Sequence, residues 1–177
     1  MYPSTLKKNV TDFKLLEEGE FCQLINGELI MTPAPSAQHQ RISRKIIKQL
    51  INYIDEKKLG EVFYAPVDVF FDDENVFEPD ILFIANERSD IILEDGIHGA
   101  PDMIIEILSV SSSYHDTKTK KRVYEKYGVK EYWIVDPIDG EVKGFENEKG
   151  KFIEIFNGNA PFTIQLLNLQ ITLDLQF

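Results

Sequence analysis

The chain predicts a mixed α/β fold with a β-rich C-terminal part, on three observations. Ile42, Ile46, Ile47, Leu50, Ile51 and Ile54 recur at helical spacing and mark one long amphipathic helix. Runs of β-branched and aromatic residues recur between Asn-Gly, Asp-Gly and proline turn signals. A chain of 177 residues that is 43% hydrophobic fits one domain, residues 1–177, with a core that needs neither disulfides nor a structural metal.

In chain order, Thr11 reads as the N-cap of a short helix reaching residue 18 and stopped by Gly19. Strands at 21–25 and 28–32 flank Asn26-Gly27, a strong hairpin signal. Pro33-Ala34-Pro35-Ser36 then breaks the strand and caps the long helix. Residues 61–72 and 76–85 read as two strands around the acidic turn Asp73-Glu74-Asn75. Residues 102–109 read as a buried strand, since all but Glu106 between Met103 and Leu108 are apolar. A helix over 115–127 ends at Gly128, and a strand at 131–135 is closed by Asp136-Pro137. Asp139-Gly140 and Asn157-Gly158 mark turns among short strands to the end.

The one cysteine, Cys22, has no internal partner and lies in an apolar run, which suits a reducing compartment and a core position. No apolar run approaches the roughly 20 residues of a membrane span, and the amino terminus carries no signal-peptide pattern, so a cytoplasmic protein is expected. A net charge of -11 argues against broad affinity for polyanions. The positive charge is nevertheless clustered. Arg41, Arg44, Lys45 and Lys48 fall in one segment, and Lys118, Lys120, Lys121, Arg122, Lys126 and Lys130 in another. These are solvated helix faces or a local basic face.

Asp80 and Glu106 each sit inside an apolar strand run, where a carboxylate loses hydration. Such an acid is either paired with a cation or holds a metal. A three-residue loop at 73–75 would set Asp68 directly opposite Asp80, whereas a one-residue change of register would separate their faces. If the strand of Glu106 lies beside Asp80, the carboxylates converge into the oxygen set that a hard divalent cation takes. Asp102 is a poorer partner for Glu106, because four residues along one strand span about 13 Å. It is expected to cap the start of that strand. His98 and His115 have no partner at zinc-ligand spacing. Tyr124, Tyr132 and Trp133 lie in apolar settings and read as core rather than as base-stacking platforms.

An ordered set of motifs extends over most of the chain. It comprises Leu24-Ile25-Asn26-Gly27-Glu28-Leu29, Pro35-Ser36 with His39-Gln40, Ala65-Pro66-Val67-Asp68-Val69 and Glu78-Pro79-Asp80. It continues with Gly99-Ala100-Pro101-Asp102, Glu106-Ile107-Leu108-Ser109, and Tyr124 with Glu131-Tyr132-Trp133-Ile134-Val135-Asp136-Pro137. This set resembles the PD-(D/E)XK nuclease superfamily and, more narrowly, the Uma-type restriction-endonuclease-like family.

The resemblance implies a restriction-endonuclease-like mixed sheet flanked by helices. It implies Mg²⁺ or Mn²⁺ held by Asp80, Glu106 and the carbonyl of Ile107, and hydrolysis of phosphodiesters, DNA being the expected nucleic acid, by a metal-dependent endonuclease. The superfamily's lysine position holds Leu108 here. The Uma-type pattern supplies a lysine from the next helix, four residues after an acid, and Asp116 to Lys120 has that spacing. Lys120 is therefore the expected third catalytic residue beside Asp80 and Glu106. Val110 stands where the family carries proline. Glu28 is either a metal ligand or a plain hairpin residue. His39 and Gln40 could reach the phosphate from the cleft wall, and Asp68 is a candidate third acid. A homodimer is expected, and no membrane association. The competing reading, consistent with the acidity and with Leu108, is a catalytically inactive nuclease-fold binding or assembly module.

Overall fold

In the computed structural model, residues 7–16, 22–109 and 115–173 are described, with the backbone alone for His115 and Asp116. The first helix, α1 (Val10–Phe13), is capped by Asn9 rather than Thr11. The Asn9 side chain accepts from the Asp12 N–H, and the Asp12 carboxylate accepts from the Asn9 N–H. α1 ends at Phe13, short of residue 18; the expected stop at Gly19 and strand start at Phe21 lie outside the described residues. β1 (Cys22–Ile25) and β2 (Glu28–Met31) form the expected hairpin, with Ile25 opposite Glu28. Asn26 and Gly27 both take positive φ, as a two-residue turn of this kind requires. In α2 (Ala37–Lys57), the Ser36 side chain caps the His39 N–H, and Ile42, Ile46, Leu50 and Ile54 are fully buried.

The two long strands expected next are each broken into two. β3 (Gly60–Tyr64) and β4 (Val69–Asp72) are separated at Pro66, and β5 (Asn75–Phe77) and β6 (Ile81–Ala85) at Pro79. Proline has no N–H to give a ladder. β4 and β5 pair in one sheet while β3 and β6 pair in another. The turn uses two residues instead of three, Asp72 facing Asn75, and a bulge between Phe70 and Asp72 shifts the register by one more, so that Val69 faces Phe77. Continued by one residue, that register sets Asp68 against Glu78, which corrects the expected pairing of Asp68 with Asp80. Asp80 faces Ala65 instead, its carbonyl accepting from the Ala65 N–H at 3.1 Å.

A 3₁₀ turn at Asn86–Ile91, then β7 (Ile92–Leu93) and β8 (Gly96–His98), complete a six-stranded sheet in the order β2-β1-β5-β4-β8-β7. β9 (Met103–Ile107) is followed by a π-helical stretch at His115–Lys120, α3 (Lys121–Tyr127) and β10 (Glu131–Val135). β11 (Glu141–Glu148) and β12 (Lys151–Asn159) form a long hairpin, and β13 (Phe162–Ile164) pairs with β14 (Leu169–Ile171). Asn157-Gly158 is not a turn: both residues lie within β12, paired with Lys143 and Val142. The chain reverses at Lys149-Gly150, both at positive φ.

The second six-stranded sheet runs β12-β11-β10-β9-β6-β3, with β9 and β10 parallel. One face packs on α2 and the β13–β14 ribbon through Ile81, Phe83, Ile105 and Trp133. The other packs on α3 and the first sheet through Leu82, Ile104, Tyr132 and Phe77. Among the described residues no helix is long and apolar enough to cross a membrane.

Two buried acids hold this frame together away from the sheet's other end. Glu131 accepts from the Trp133 indole N–H at 2.8 Å and from the backbone N–H groups of Gln165 and Leu166 at 2.8 and 2.6 Å, tying the C-terminal ribbon to β10. Asp102 caps the start of β9 as expected, accepting from the Ala85 N–H at 2.9 Å and from Lys130 at 2.7 Å. Gly144 on β11 lies against the fully buried Trp133, whose Cζ3 would stand 2.5 Å from an added Cβ. Gly144→Ala is therefore expected to destabilise the fold by about 1–3 kcal/mol, read as a lower urea midpoint at unchanged slope.

Candidate active site

β9 lies between β6 and β10 in the second sheet, so the strand of Glu106 runs beside that of Asp80. The register pairs Ile81 with Ile105, and one step further it sets Asp80 beside Glu106. The Ile107 N–H donates to Asp80 Oδ2 at 2.7 Å, and the Asp80 N–H reaches Glu106 Oε2 at 3.4 Å. The period of two sends Ile105 and Ile107 toward α2 and Glu106 toward α3. Glu106 is 2% exposed. Its Oε1 accepts from Lys120 Nζ at 3.0 Å and from the Tyr124 hydroxyl at 2.7 Å. Lys120 and Tyr124 stand four residues apart on one helical face, which is why both reach the same oxygen. Tyr124 is core as expected, but its hydroxyl belongs to this cluster, a link that no spacing in the sequence marks.

From the opposite layer, His39 in the first turn of α2 brings Nε2 to 3.1 Å from Asp80 Oδ2. Its side chain is 9% exposed, and among the described residues its Nδ1 has no hydrogen-bond partner. Burial alone would lower the histidine pKa. The hydrogen bond and charge of Asp80, the Ile107 carbonyl and the charge of Glu106 outweigh it and raise the pKa above 6.5. His39, Gln40, Arg41 and Arg44 of α2 form one wall of a cleft of about 510 Å³, with Tyr64, Ala65 and Asp80 opposite. The exposed Arg41 and Arg44 thus share a groove with Asp80. In the other basic segment three residues pair with acids, Lys120 with Glu106, Lys126 with Asp72 and Lys130 with Asp102.

Two candidates stand apart from this cluster. Glu28 is exposed on β2 at the end of the first hairpin. Asp68 lies with Phe70, Lys14 and Asp95 along a second cleft of about 370 Å³, where burial and then the charge of Asp95 raise its pKa. The residue that sequence reading passed over is Glu78, whose backbone N–H donates to Gln23 Oε1 at 3.1 Å. Burial, then the charge of Asp68, pushes its carboxyl up to about 7 against the pull of Lys120. The signal was present in Glu78-Pro79-Asp80, but only the folded register reveals its neighbour. Among the described residues no three His, Cys, Asp or Glu side chains group closely enough to hold an ion by themselves. Asp80 and Glu106 with the Ile107 carbonyl offer hard oxygen donors that fit a divalent cation, with the backbone supplying the third donor.

The model of the family Uma2, described as "Putative restriction endonuclease", matches residues 10–176. The uncharacterized protein sll1609 of Synechocystis sp. is 26% identical over 158 residues, covering 86% of this chain and 87% of its own. The crystal structure of a putative nuclease belonging to DUF820 from Anabaena variabilis superimposes with a TM-score of 0.74 at 21% identity, covering 93% of this chain and 94% of that one. The fold is thus shared with that structure and is restriction-endonuclease-like.

The buried Lys120–Glu106 pair yields one expectation. Lys120→Met strands the Glu106 charge and should cost about 3–5 kcal/mol, whereas the double change with Glu106→Gln should cost clearly less than the sum of the single changes; urea unfolding of the four proteins measures the coupling. Glu78 yields another. Its folded pKa of about 7 lies above the ordinary 4.5, so the native state holds this proton more tightly. The resulting stability is complete below pH 4.5 and is lost as pH rises to 7. Glu78→Gln should remove that slope, and metal-free urea midpoints measured at steps from pH 5 to 8 would show it.

Proposed function

The chain belongs to the Uma2 family, and from that membership we propose that it is a metal-dependent endonuclease hydrolysing phosphodiester bonds of DNA. The observation that carries the reading is the meeting of Asp80, Glu106 and Lys120 at one end of a central strand pair, beside a groove walled by Arg41 and Arg44. In this reading Asp80, Glu106 and the Ile107 carbonyl hold Mg²⁺ or Mn²⁺. The ion would polarise a phosphoryl oxygen and lower the pKa of a bound water. Lys120 stands 3.0 Å from Glu106, where an ammonium would orient the attacking water and offset the negative charge that builds at phosphorus. Tyr124 fixes the Glu106 carboxylate so that one oxygen is committed to the protein. The exposed Arg41 and Arg44 grip flanking phosphates, Arg being suited to bidentate contact with them. A homodimer would extend that basic wall along a duplex.

The second reading, a nuclease-fold binding or assembly module without hydrolysis, draws on Leu108 at the superfamily's lysine position and on the net charge of -11. Against it stands the retained Lys120, held at 3.0 Å from the acid it would serve. The two readings separate on incubation of supercoiled and single-stranded DNA with purified protein and Mg²⁺ or Mn²⁺, run beside Glu106→Gln. Cutting by the native protein alone is the expected result. Equal inactivity, with calorimetry detecting no metal uptake, would favour the module.

A further inference from the structure

We propose that Tyr64 selects the substrate of the cleft by stacking its ring on a base beside the scissile phosphate. The site then takes an unpaired stretch of DNA, a single strand or an opened position in a duplex, in preference to a continuous duplex. The inference rests on the nuclease reading above and narrows its substrate class.

Tyr64 is the last residue of β3, an edge strand of the second sheet. Its direction follows from the strand period of two. Val62 packs into the core on the α2 side and Phe63 into the core on the α3 side, so Tyr64 returns to the α2 side together with its pair Ile81. Ile81 is fully buried there, whereas Tyr64 is 53% exposed. The same side of the sheet is thus closed over one member of the pair and open at the other. Among the described residues Tyr64 is the one exposed aromatic, and it lies in the cleft that holds Asp80.

The backbone fixes how far this ring stands from the acid. The Ala65 N–H donates to the Asp80 carbonyl at 3.1 Å, and Tyr64 pairs with Ile81, so the aromatic residue is one strand position from the residue that faces Asp80. One position is about 3.3 Å. A phosphate held at Asp80 and a base resting on Tyr64 can therefore belong to the same or neighbouring nucleotides.

The opposite wall supplies the complementary chemistry. Gln40, Arg44 and Ile47 follow one another at i, i+4 and i+7 on α2 and line the same cleft of about 510 Å³, with Arg41 beside them. Cationic side chains along a groove and an aromatic face for a base are the combination by which single strands are held. A base within a continuous duplex has both faces covered by its neighbours, so it reaches a protein ring only when it leaves the stack.

The test is fluorescence anisotropy in Ca²⁺, chosen to hold cleavage back, on three end-labelled probes: a thymidine strand, an abasic strand of equal length and a continuous duplex. The native protein should bind the thymidine strand about fivefold or more tighter than either of the others, Tyr64→Ala should lose about tenfold on that strand and bind the three probes alike, and Tyr64→Phe should keep the native preference. Circular dichroism checks that the variants fold. Tyr64→Ala retaining the native preference overturns the proposal and leaves the nuclease reading standing. A change of oligomeric state in Tyr64→Ala, seen by sedimentation velocity, overturns it as well, since the ring would then belong to a contact between copies. Native protein that binds the abasic strand or the duplex as tightly as the thymidine strand overturns it whatever the variants do. Native protein that binds none of the probes and cuts no DNA overturns both readings.

Discussion

The burial of the Glu106 carboxylate is the constraint on which the arrangement of this molecule depends. A charge in the middle of a five-residue buried strand, β9, loses hydration worth several kcal/mol that only close partners restore. Those partners cannot come from β9 itself, whose other side chains are apolar. They come from one helical face, Lys120 and Tyr124, and from the backbone of Asp80 on the neighbouring strand. The acid therefore determines where the helix after β9 must sit and in what rotation. Phe77 and Tyr132 then close around Tyr124, so a polar requirement shapes the aromatic packing between the two sheets.

A second constraint is the break in the long hairpin at Pro66 and Pro79. The two strands leave one sheet together and enter the other together, so residues 65–68 and 78–80 cross between the sheets. Asp80 stands at that crossing, just before β6 begins, which frees its carboxylate from the pleat and lets it accept from Ile107 across the strand. A regular ladder would have pointed the same side chain into one face of the sheet. The N-terminal turn of α2 reaches the crossing from the other side, so the cleft draws on a helix, a strand end and a strand break.

How far the sequence reads on its own follows from the range of the forces involved. The α2 stripe, the Asn26-Gly27 hairpin and the buried strand around Glu106 are local patterns, and each stands as expected. Capping of β9 by Asp102 was likewise legible, since distance along one strand removes it from Glu106. The division into two sheets was not, because it turns on which strands find which neighbours. The same holds for Asp68, displaced from Asp80 by a turn one residue shorter than expected and by the bulge between Phe70 and Asp72. Asn157-Gly158 misleads for a related reason: pairing along the whole of β12 overrides a local turn preference that Lys149-Gly150 satisfies instead. Glu131 was visible only as the start of a strand, and its grip on Gln165 and Leu166 joins residues too distant in sequence for any motif.

The charge distribution bears on function in the same way. A net charge of -11 is a property of the whole surface, while recognition of a polyanion depends on the potential inside one groove. The fold sorts the two basic segments into different tasks. In the segment around α3, Lys120, Lys126 and Lys130 balance Glu106, Asp72 and Asp102. The segment on α2 keeps Arg41 and Arg44 exposed on the cleft wall, where Asp80 is the one acid among the lining residues. An ion bound at Asp80 would offset the remaining negative charge there, so metal and polyanion would favour each other's binding at a site that neither strongly attracts alone.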